Sequence, residues 1–420
     1  GQEARKMTAA LQQKGLQKGD HIGIYSKNCY HWILADLAIM MGGYVSVPLY
    51  ASLPKTQLAE VIELGDLKAI FLGKLDAWGD RKEAIPSNVL AIKFPHYSGN
   101  PKVDIGEEWE ALIANAKPTS ENFVPKLDDL WTIKFTSGTT GTPKGVMHVH
   151  RSPALIMVNE KKTNWLGLFN RKEHRYLSFL PLNHVGERLG LEVPAIWTGG
   201  MISFSENLDT FAKNLQDTQP TTFFAVPRIW TKFYLGVIAK MPQNKLDLFL
   251  KIPILSGIIK KKLRTALGMR DVKIAATGAA ITPAFIKDFY KKLDIHLVEA
   301  YGMTEVCGSM TNSPDPNSPQ DSVGKAIPFG EVRIHPETGE ILMKTPYMMT
   351  GYYKNREKTA EVLVDGWMHS GDKGTIDENG YVRVTGRIKD AFKTSKGSYV
   401  TPNPMEEELM KNDFIEQVCV

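Results

Sequence analysis

The 420-residue sequence has few cysteines and only a small excess of one charge. Cys29, Cys307 and Cys419 lie far apart without C-x-x-C spacing. This pattern is typical of a reducing compartment and predicts three inert thiols rather than a disulfide framework or a cysteine metal site. The formal charge is only +5, and the basic residues are dispersed, so we expect no nucleic-acid partner.

Long apolar runs are also missing. A membrane-spanning helix needs about 20 apolar residues in a row, but the most apolar window, residues 32–51, contains Asp36 and a Gly42-Gly43 pair. We therefore predict a buried helix followed by a buried strand in this window. We expect a cytoplasmic protein, without an internal repeat or a low-complexity tract. Because the sequence begins at Gly1 inside a predicted helix, we also expect a further segment before it.

Helical and strand-like patterns alternate over most of the chain, which predicts parallel strands covered by helices. The first predicted strands are residues 21–26, 44–49, 68–73 and 89–94. After residue 323 short alternating strands joined by turn signals, such as Asp377-Glu-Asn-Gly380, predict antiparallel structure. We predict an α/β fold with two doubly wound α/β subdomains at about residues 1–322 and a small antiparallel β-barrel-like subdomain at about residues 323–390.

The strongest chemical bias is in residues 136–146, which read TSGTTGTPKGV. Glycines let backbone N–H groups approach a ligand, and Ser and Thr hydroxyls add further donors around an anion. Lys144 adds a charge suited to phosphate. The stretch is not a P-loop, because Pro143 replaces the second glycine and Gly145 stands where Ser or Thr would hold magnesium. We predict a polyphosphate-binding loop that joins strands at residues 130–136 and 146–150.

This loop closely resembles the phosphate loop of the adenylate-forming enzymes, the superfamily of acyl-CoA synthetases, peptide-synthetase adenylation domains and luciferases. Further motifs resemble that superfamily at matching positions, namely ATGAA at residues 276–280, EAYGMTE at residues 299–305, GWMHSGD at residues 366–372 and GRIKD at residues 386–390. The resemblance implies an ATP- and AMP-binding set, which consists of Thr136, Ser137, Gly138, Thr139, Thr140, Gly141, Thr142, Lys144, Gly278, Ala279, Ala280, Glu299, Ala300, Tyr301, Gly302, Met303, Thr304, Asp372, Val384 and Arg387.

The resemblance also implies individual roles for these residues. It places Tyr301 against adenine, Thr304 near the α-phosphate, Glu305 on Mg²⁺, and Asp372 with Arg387 on the ribose. Each residue has a plain alternative when it is considered alone. Glu305 is then a solvated carboxylate, Asp372 a turn residue and Arg387 a surface charge, and the ATGAA corner is a tight strand-to-helix turn.

Two motifs carry information about the acid. LPLNHVGER at residues 180–188 and VPRIW at residues 226–230 resemble the long-chain acyl-CoA synthetase branch, in which His184 lies beside the substrate carboxyl group at the mouth of an acyl tunnel. Asn183 stands where this branch usually has alanine, which leaves the choice of acid open. A core histidine whose ring is satisfied by its neighbours remains the alternative for His184. The implied catalytic set is Lys144, His184, Thr304 and Glu305.

Residues 389–400 resemble the superfamily's hinge and coenzyme A loop. The resemblance makes Asp390 the pivot and brings Lys393, Ser395, Lys396 and Gly397 into the site for thioester formation; a polar linker is the plain alternative. It further implies that residues 1–390 are the AMP-binding domain and residues 391–420 the beginning of a mobile C-terminal domain, whose clamping lysine would lie beyond Val420. We therefore expect this polypeptide to bind ATP and to adenylate slowly.

The function that the resemblance implies is ATP-dependent activation of a long-chain fatty acid to acyl-AMP, followed by thioester formation with coenzyme A. ATP, Mg²⁺ and coenzyme A are the implied cofactors and co-substrates. Two alternatives are an adenylating enzyme with another acyl acceptor, such as a carrier protein, and a non-catalytic nucleotide- or acyl-binding module. Residues 251–268 form a basic amphipathic segment that predicts either an ordinary surface helix or peripheral membrane contact. For the oligomeric state, a homodimer is a candidate.

Overall fold

The computed structural model describes residues 1–120, 123–136, 142–389, 392–393 and 399–400, together with residues 405, 409 and 418. The fold is mixed α/β, as the sequence predicts. The chain divides into two compact units. Unit 1 contains Gly1–Leu155, Ser178–Glu192 and Tyr347–Thr359, and unit 2 contains Ile156–Leu177, Val193–Pro346 and Ala360–Val420.

The strands of the described residues, in chain order, are β1 (His21–Tyr25), β2 (Val45–Leu49), β3 (Leu67–Leu72), β4 (Leu90–Lys93), β5 (Glu107–Glu108), β6 (Leu130–Thr136), β7 (Lys144–Val149), β8 (Arg175–Ser178), β9 (Met201–Phe204), β10 (Thr222–Ala225), β11 (Ile274–Gly278), β12 (Leu297–Met303), β13 (Gly308–Asn312), β14 (Lys325–Ala326), β15 (Glu331–Ile334), β16 (Glu340–Lys344), β17 (Gly351–Tyr352), β18 (Leu363–Val364), β19 (Trp367–Ile376), β20 (Val382–Arg387), β21 (Phe392–Lys393) and β22 (Tyr399–Val400).

The α-helices are α1 (Gln2–Gln13), α2 (Tyr30–Gly42), α3 (Lys55–Leu64), α4 (Trp109–Asn115), α5 (Arg151–Thr163), α6 (Val185–Glu187), α7 (Val193–Thr198), α8 (Phe211–Thr218), α9 (Pro227–Lys240), α10 (Gln243–Leu250), α11 (Pro253–Ala266), α12 (Ala284–Lys292) and α13 (Arg356–Val362). Short 3₁₀ turns occupy Gly79–Ala84, Leu168–Asn170 and Thr304–Val306, and a π-helical turn occupies Arg188–Glu192. Over the stretches given above, no helix has both the length and the hydropathy that crossing a membrane requires.

Unit 1 is built on an eight-stranded sheet with the order β17-β7-β6-β2-β1-β3-β4-β5. Strands β1 to β6 pair in parallel, whereas β7 and β17 are antiparallel to their neighbours. Apolar residues of β2 and β3 and the apolar face of α3 build the core, in which Leu58 and Ile62 of the helix pack with Val47 and Ile70 of the sheet. This sheet therefore supplies a rigid base for the loop that follows β6.

Unit 2 contains two larger sheets. Strands β10, β11 and β12 pair in parallel, and β13 and β14 extend the same sheet in the antiparallel direction. The other sheet is antiparallel, with the order β15-β16-β19-β18 and with β20 paired to the later part of β19. It lies within the region that the sequence predicts to be antiparallel, and its hairpin between β19 and β20 turns at Asp377, as predicted.

Beside the predicted parallel strands, both α/β sheets end in antiparallel strands. Residues 137–143 connect β6 to β7, and residues 304–307 connect β12 to β13. These connections are too short for the crossover that a parallel pair needs, so both pairs are antiparallel. Strand β8 ends at Ser178, two residues before the LPLNHVGER motif begins. Beyond Ser178 the backbone is held by the side chain of Asn28 and not by a neighbouring strand. The Asn28 amide donates to the Leu180 carbonyl oxygen and accepts from the Leu182 N–H.

Candidate active site

Lys144 is held by the β6–β7 hairpin of unit 1. The prediction that this loop joins two strands is confirmed, although β7 begins at Lys144 and not at Val146, and Lys144 pairs in register with Thr136. The Lys144 ammonium lies 5.7 Å from the ring centroid of Tyr352 on β17, and Thr142 is exposed. The remaining predicted loop residues, Ser137, Gly138, Thr139, Thr140 and Gly141, lie outside the described residues.

His184 caps the short helix α6 in unit 1. Its Nδ1 accepts a hydrogen bond from the Gly186 backbone N–H at 3.0 Å, so this nitrogen carries no proton. Burial lowers the pKa of His184, and the positive charge of Lys134 lowers it further. The ring is therefore a neutral imidazole at physiological pH, with its proton on Nε2. The sequence left a core histidine with a satisfied ring as the alternative for His184. The structure satisfies one ring nitrogen in this way, because Nδ1 accepts from Gly186 of the same segment.

In unit 2 the ATGAA corner ends β11 beside β12. Gly278 is paired with Ala300, and a Cβ atom added to Gly278 would lie 2.6 Å from the Ala300 carbonyl oxygen. Only glycine fits such a close approach of two backbones. The chain then turns through Ala279, whose φ is +67°, and Ala279 and Ala280 are exposed. The corner thus presents backbone and small side chains, against which a flat ring can lie.

The EAYGMTE motif runs along β12 into the 3₁₀ turn Thr304–Val306. Gly302 is required by packing, because an added Cβ would lie 1.8 Å from the Gly308 carbonyl oxygen on β13. Thr304 and Glu305 follow directly after the strand, and both side chains are half-buried. Met303 is also half-buried. The fold thereby places a hydroxyl and a carboxylate side by side at the end of a parallel strand, where ligands of α/β sheets are commonly bound.

Tyr301, Asp372 and Arg387 form a cluster in unit 2. The Tyr301 hydroxyl donates to Asp372 Oδ2 at 2.8 Å, and Arg387 Nε lies 3.4 Å from Asp372 Oδ1. Asp372 and Arg387 are register partners across β19 and β20. Burial raises the pKa of Tyr301, and the Asp372 charge raises it further. The plain alternative of a turn residue fails for Asp372, since it lies inside a strand, and the exposed Arg387 is free to reach a ligand beside it.

Glu299 differs from the other residues of its motif. It is 1% exposed, its carboxylate forms an ion pair with Lys287 Nζ at 3.0 Å, and its Oε1 accepts hydrogen bonds from both the N–H and the hydroxyl of Thr282 at 3.1 Å. Burial raises the pKa of Glu299, and Lys287 opposes that rise. The side chain thus ties the loop after β11 to β12. Nucleotide contact by Glu299 stays a prediction, and the Lys287 partner was not foreseen because nothing local in the sequence marks it.

The remaining predicted residues lie in or beyond β20. Val384 is half-buried opposite Gly374 on β19. The backbone of Lys393 belongs to β21, which pairs with β22. Asp390, Ser395, Lys396 and Gly397 lie outside the described residues. Among the residues that the structure describes, no group of three or more His, Cys, Asp or Glu side chains could hold a metal ion by itself.

Comparison with known proteins agrees with these motifs. The family model for the AMP-binding enzymes matches residues 1–353. The long-chain-fatty-acid–CoA ligase FadD15 of Mycobacterium bovis is 28% identical over 448 residues, which cover 100% of this chain and 73% of that protein. Long chain acyl-CoA synthetase 5 of Arabidopsis thaliana is 27% identical, with 99% of this chain and 69% of that protein covered.

The fold agrees as well. The crystal structure of the anthranilate CoA ligase AuaEII in complex with anthranoyl-AMP matches 99% of this chain and 77% of that one, with a TM-score of 0.81 at 19% identity. A glycine- and threonine-rich hairpin, a carboxylate after β12 and an Asp–Arg pair in the antiparallel sheet therefore occur in a chain that also matches the family along most of its length. The chain belongs to the AMP-binding enzymes, the adenylate-forming family that includes the acyl-CoA ligases.

Proposed function

We propose that this protein activates a long-chain fatty acid with ATP and transfers the acyl group to coenzyme A. The observation that carries the proposal is the match over nearly the whole chain to relatives named long-chain acyl-CoA ligases. The LPLNHVGER motif adds support from the sequence, since it resembles the same branch. The identity of 27–28% leaves the length of the acid to experiment.

The family uses ATP, Mg²⁺ and coenzyme A, and the donor set of this chain fits Mg²⁺. The ion commonly takes only one or two carboxylates and completes its shell with phosphate oxygens and water. Glu305, half-buried at the end of β12, is the carboxylate that we assign to it, and Thr304 beside it offers a hydroxyl to phosphate. When bound there, the ion would neutralise charge on the phosphates.

The first step joins the acid to AMP. A carboxylate oxygen of the acid attacks the α-phosphorus of ATP, the bond to the bridging oxygen breaks, and pyrophosphate leaves with the electron pair. No protein nucleophile is needed, so the protein acts by positioning the reactants and by stabilising charge on the phosphates. We assign Lys144, the N–H groups of its loop and Thr304 to those charges, and neutral His184 to the acid's carboxyl group.

The second step replaces AMP with a thiol. The sulfur of coenzyme A attacks the acyl carbonyl carbon, the bond from that carbon to the AMP oxygen breaks, and AMP leaves while the thiol proton is released. We assign the adenosine of AMP to residues of unit 2, with the ring on the Gly278 corner and Tyr301 and the ribose on Asp372 and Arg387. Lys393 and the residues after it remain our proposal for the loop that serves this step.

We also propose that helices α10 and α11 contact an anionic lipid surface. Four large apolar side chains are exposed there, namely Leu248 (59%), Ile252 (47%), Ile254 (83%) and Ile258 (49%). Lys261 and Lys262 continue the exposed face of α11 at helical spacing from Ile254 and Ile258. Exposed isoleucines flanked by lysines suit the boundary between acyl chains and acidic headgroups. Lys260 does not belong to this face, because it pairs with Asp294 at 2.7 Å.

The intact protein, supplied with a series of acids from acetate to palmitate, tests the main proposal. We expect thioester formation that depends on ATP and coenzyme A and is fastest with the longer acids. Acyl-AMP formation without transfer to coenzyme A would indicate another acyl acceptor. Binding of ATP without acyl-AMP formation with any acid would indicate a non-catalytic module, and would refute the proposal.

A further inference from the structure

A cluster of charged and polar groups is buried in unit 1 around Arg188, the last residue of the LPLNHVGER motif, to which the proposed chemistry assigns no role. It consists of Asp36 on α2, Thr132 on β6, and Arg188 and Glu192 at the two ends of the π-helical turn. The exposed fraction is 0% for Asp36, Thr132 and Arg188 and 1% for Glu192. We call this group the Arg188 cluster.

The guanidinium of Arg188 joins three separate elements. Its Nη2 forms an ion pair with Asp36, its Nε donates to Glu192 Oε2 at 2.8 Å, and its Nη1 donates to Thr132 Oγ1 at 3.2 Å. Its Cζ lies 4.3 Å from the ring centroid of Trp131. The planar fork of arginine can make all these contacts at once, whereas a lysine ammonium at the end of a flexible chain cannot.

The partners of Arg188 are themselves fixed. The second carboxylate oxygen of Asp36 accepts from the Ser46 hydroxyl at 2.5 Å, and the Thr132 hydroxyl donates to the Ser46 carbonyl oxygen at 2.8 Å. Ser46 is on β2, which neighbours β6 in the sheet. The Arg188 cluster therefore locks the turn that carries Arg188 onto helix α2 and onto two strands of the sheet.

Stability alone is a poor reason for such a cluster. Taking ions out of water costs several kcal/mol per ion, and apolar replacements of buried ion pairs are often as stable or more stable. Glu192 Oε1 is buried without a hydrogen-bond partner among the described residues, and burial raises the pKa of Glu192 to about 8. π-helical turns, like the one here, are frequent at functional sites. The cluster is therefore better explained by its fixing the positions of the segments it joins than by a contribution to the free energy of folding.

The position of Arg188 in the chain indicates which parts of the structure the cluster holds in place. Arg188 lies one turn after His184, and its N–H donates to the His184 carbonyl oxygen at 3.3 Å. Strand β6, which carries Thr132, ends at Thr136 where the phosphate loop begins. At its other end the same segment is held by Asn28, which bonds Leu180 and Leu182. The backbone on both sides of His184 is thus tied down in unit 1.

We infer that Arg188 is a positioning residue, which sets the place of His184 relative to the strand that delivers the phosphate loop. The inference rests on the proposed function, since it assumes that His184 faces the carboxyl carbon of the acyl group. It makes a specific claim about recognition. Disturbing the Arg188 cluster should weaken binding of the acyl part of acyl-AMP and leave binding of the AMP part nearly unchanged.

Calorimetric titration of the full-length protein tests this claim with two probes, AMP and a non-hydrolysable hexadecanoyl-AMP analogue. Arg188→Lys keeps the charge beside Asp36 but loses the fork. We expect its affinity for the acyl analogue to fall about tenfold or more, as one lost charged hydrogen bond would give, and its affinity for AMP to change less than about twofold. Thr132→Val, which removes one acceptor of Arg188 and the hydrogen bond to the Ser46 carbonyl oxygen, should show a smaller loss of the same kind.

Arg175→Lys provides the matched control. Arg175 is also a multidentate arginine, since it bonds the Gln219 carbonyl oxygen through Nε and Nη2 and pairs with Asp271 at 2.6 Å, but these partners belong to unit 2 and not to the Arg188 cluster. We expect this variant to lower the melting temperature while both affinities stay as in the wild type. A melting curve of each variant separates folding from recognition.

The outcomes are distinguishable. If the wild type binds neither probe, the proposed function is wrong. If the wild type binds both probes and Arg188→Lys retains both affinities, or loses both equally, the positioning role is overturned while the proposed function stands. If Arg188→Lys does not fold, Thr132→Val decides: a selective loss for the acyl analogue supports the inference, and unchanged affinities refute it.

Discussion

The Tyr301 hydroxyl donates to the Asp372 carboxylate across 2.8 Å, although the two residues belong to different sheets of unit 2. The other oxygen of Asp372 is 3.4 Å from Arg387 Nε. Because burial and the neighbouring carboxylate raise the pKa of Tyr301, the hydroxyl remains protonated and keeps donating over the physiological pH range. One carboxylate thus has a fixed orientation before any ligand arrives.

Replacing Tyr301 with phenylalanine should weaken AMP binding. The change keeps the aromatic ring that we assign to adenine and removes only the hydrogen bond that orients Asp372. Hydrogen bonds to charged groups contribute about 1.5–3 kcal/mol, so we expect a loss of about tenfold or more in affinity by calorimetry. Tyr290→Phe is the control, because its hydroxyl donates at 2.9 Å to the Trp230 carbonyl oxygen. Equal affinities of Tyr301→Phe and wild type would contradict the ribose role of Asp372.

Replacing Glu305 with alanine should lower acyl-AMP formation about a hundredfold or more, since removing one preorganised charge-stabilising group costs about 2.7–4 kcal/mol in such sites. Pyrophosphate exchange at several Mg²⁺ concentrations measures the effect. We expect the deficit to shrink as Mg²⁺ is raised, because the carboxylate is assigned to the ion. Glu337→Ala, on an exposed turn, should leave the rate unchanged. An unaltered rate for Glu305→Ala would remove this residue from the proposed site.

The buried Glu187 should make stability depend on pH. Burial raises its pKa to about 8 in the folded state, from about 4.3 in an unfolded chain. Between those values the folded state binds more protons than the unfolded one, so its stability falls as pH rises, by up to about 1.4 kcal/mol per pH unit for this group. Glu187→Gln preserves the acceptor for Ser178 and for the Phe179 N–H and cannot ionise.

We therefore expect Glu187→Gln to be more stable than the wild type at about pH 8 and to have a clearly smaller advantage at about pH 5. Chemical denaturation at both pH values measures the difference. Burial also raises the pKa of Glu192 to about 8. Because Glu192 remains in the variant, the stability of the variant still depends on pH in part. A difference between wild type and variant that is the same at both pH values would contradict the burial argument.

The surface of α10 and α11 should sediment with anionic vesicles. We expect Lys261→Glu combined with Lys262→Glu to weaken binding to vesicles that contain phosphatidylserine about tenfold or more, since each lysine near such a surface contributes about 1 kcal/mol. Lys117→Glu with Lys126→Glu makes the same change in charge at exposed lysines of unit 1. If both double variants bind equally, net charge alone is responsible and the proposed surface is wrong.

Much of the fold was predictable from the sequence because it follows from local chemistry. The alternation of apolar segments gave the parallel strands of both α/β sheets, and turn residues gave the β19–β20 hairpin. The glycine-rich stretch after β6 was identified by composition alone. By contrast, the antiparallel direction of β13 depends on how few residues connect it to β12, which becomes clear only when the exact ends of these strands are known.

The candidate site was predictable only in part. The motifs named Tyr301, Asp372 and Arg387, yet the hydrogen bond between Tyr301 and Asp372 joins two sheets that no local pattern relates. Glu299 was assigned to the nucleotide on its motif, whereas its carboxylate is engaged by Lys287 and Thr282. Residues 137–141 and 394–398, which hold several predicted ligands, keep their roles as predictions.

Asp36 illustrates what cannot be inferred from the sequence alone. In the sequence it is a break in an apolar window, which correctly argues against a membrane span. Its partner Arg188 is 152 positions away, and only the packed chain brings the two together. Patterns of hydrophobicity and glycine determine segments, because they act over a few residues. Tertiary structure decides which buried charges meet, because their desolvation must be compensated by groups from distant parts of the chain.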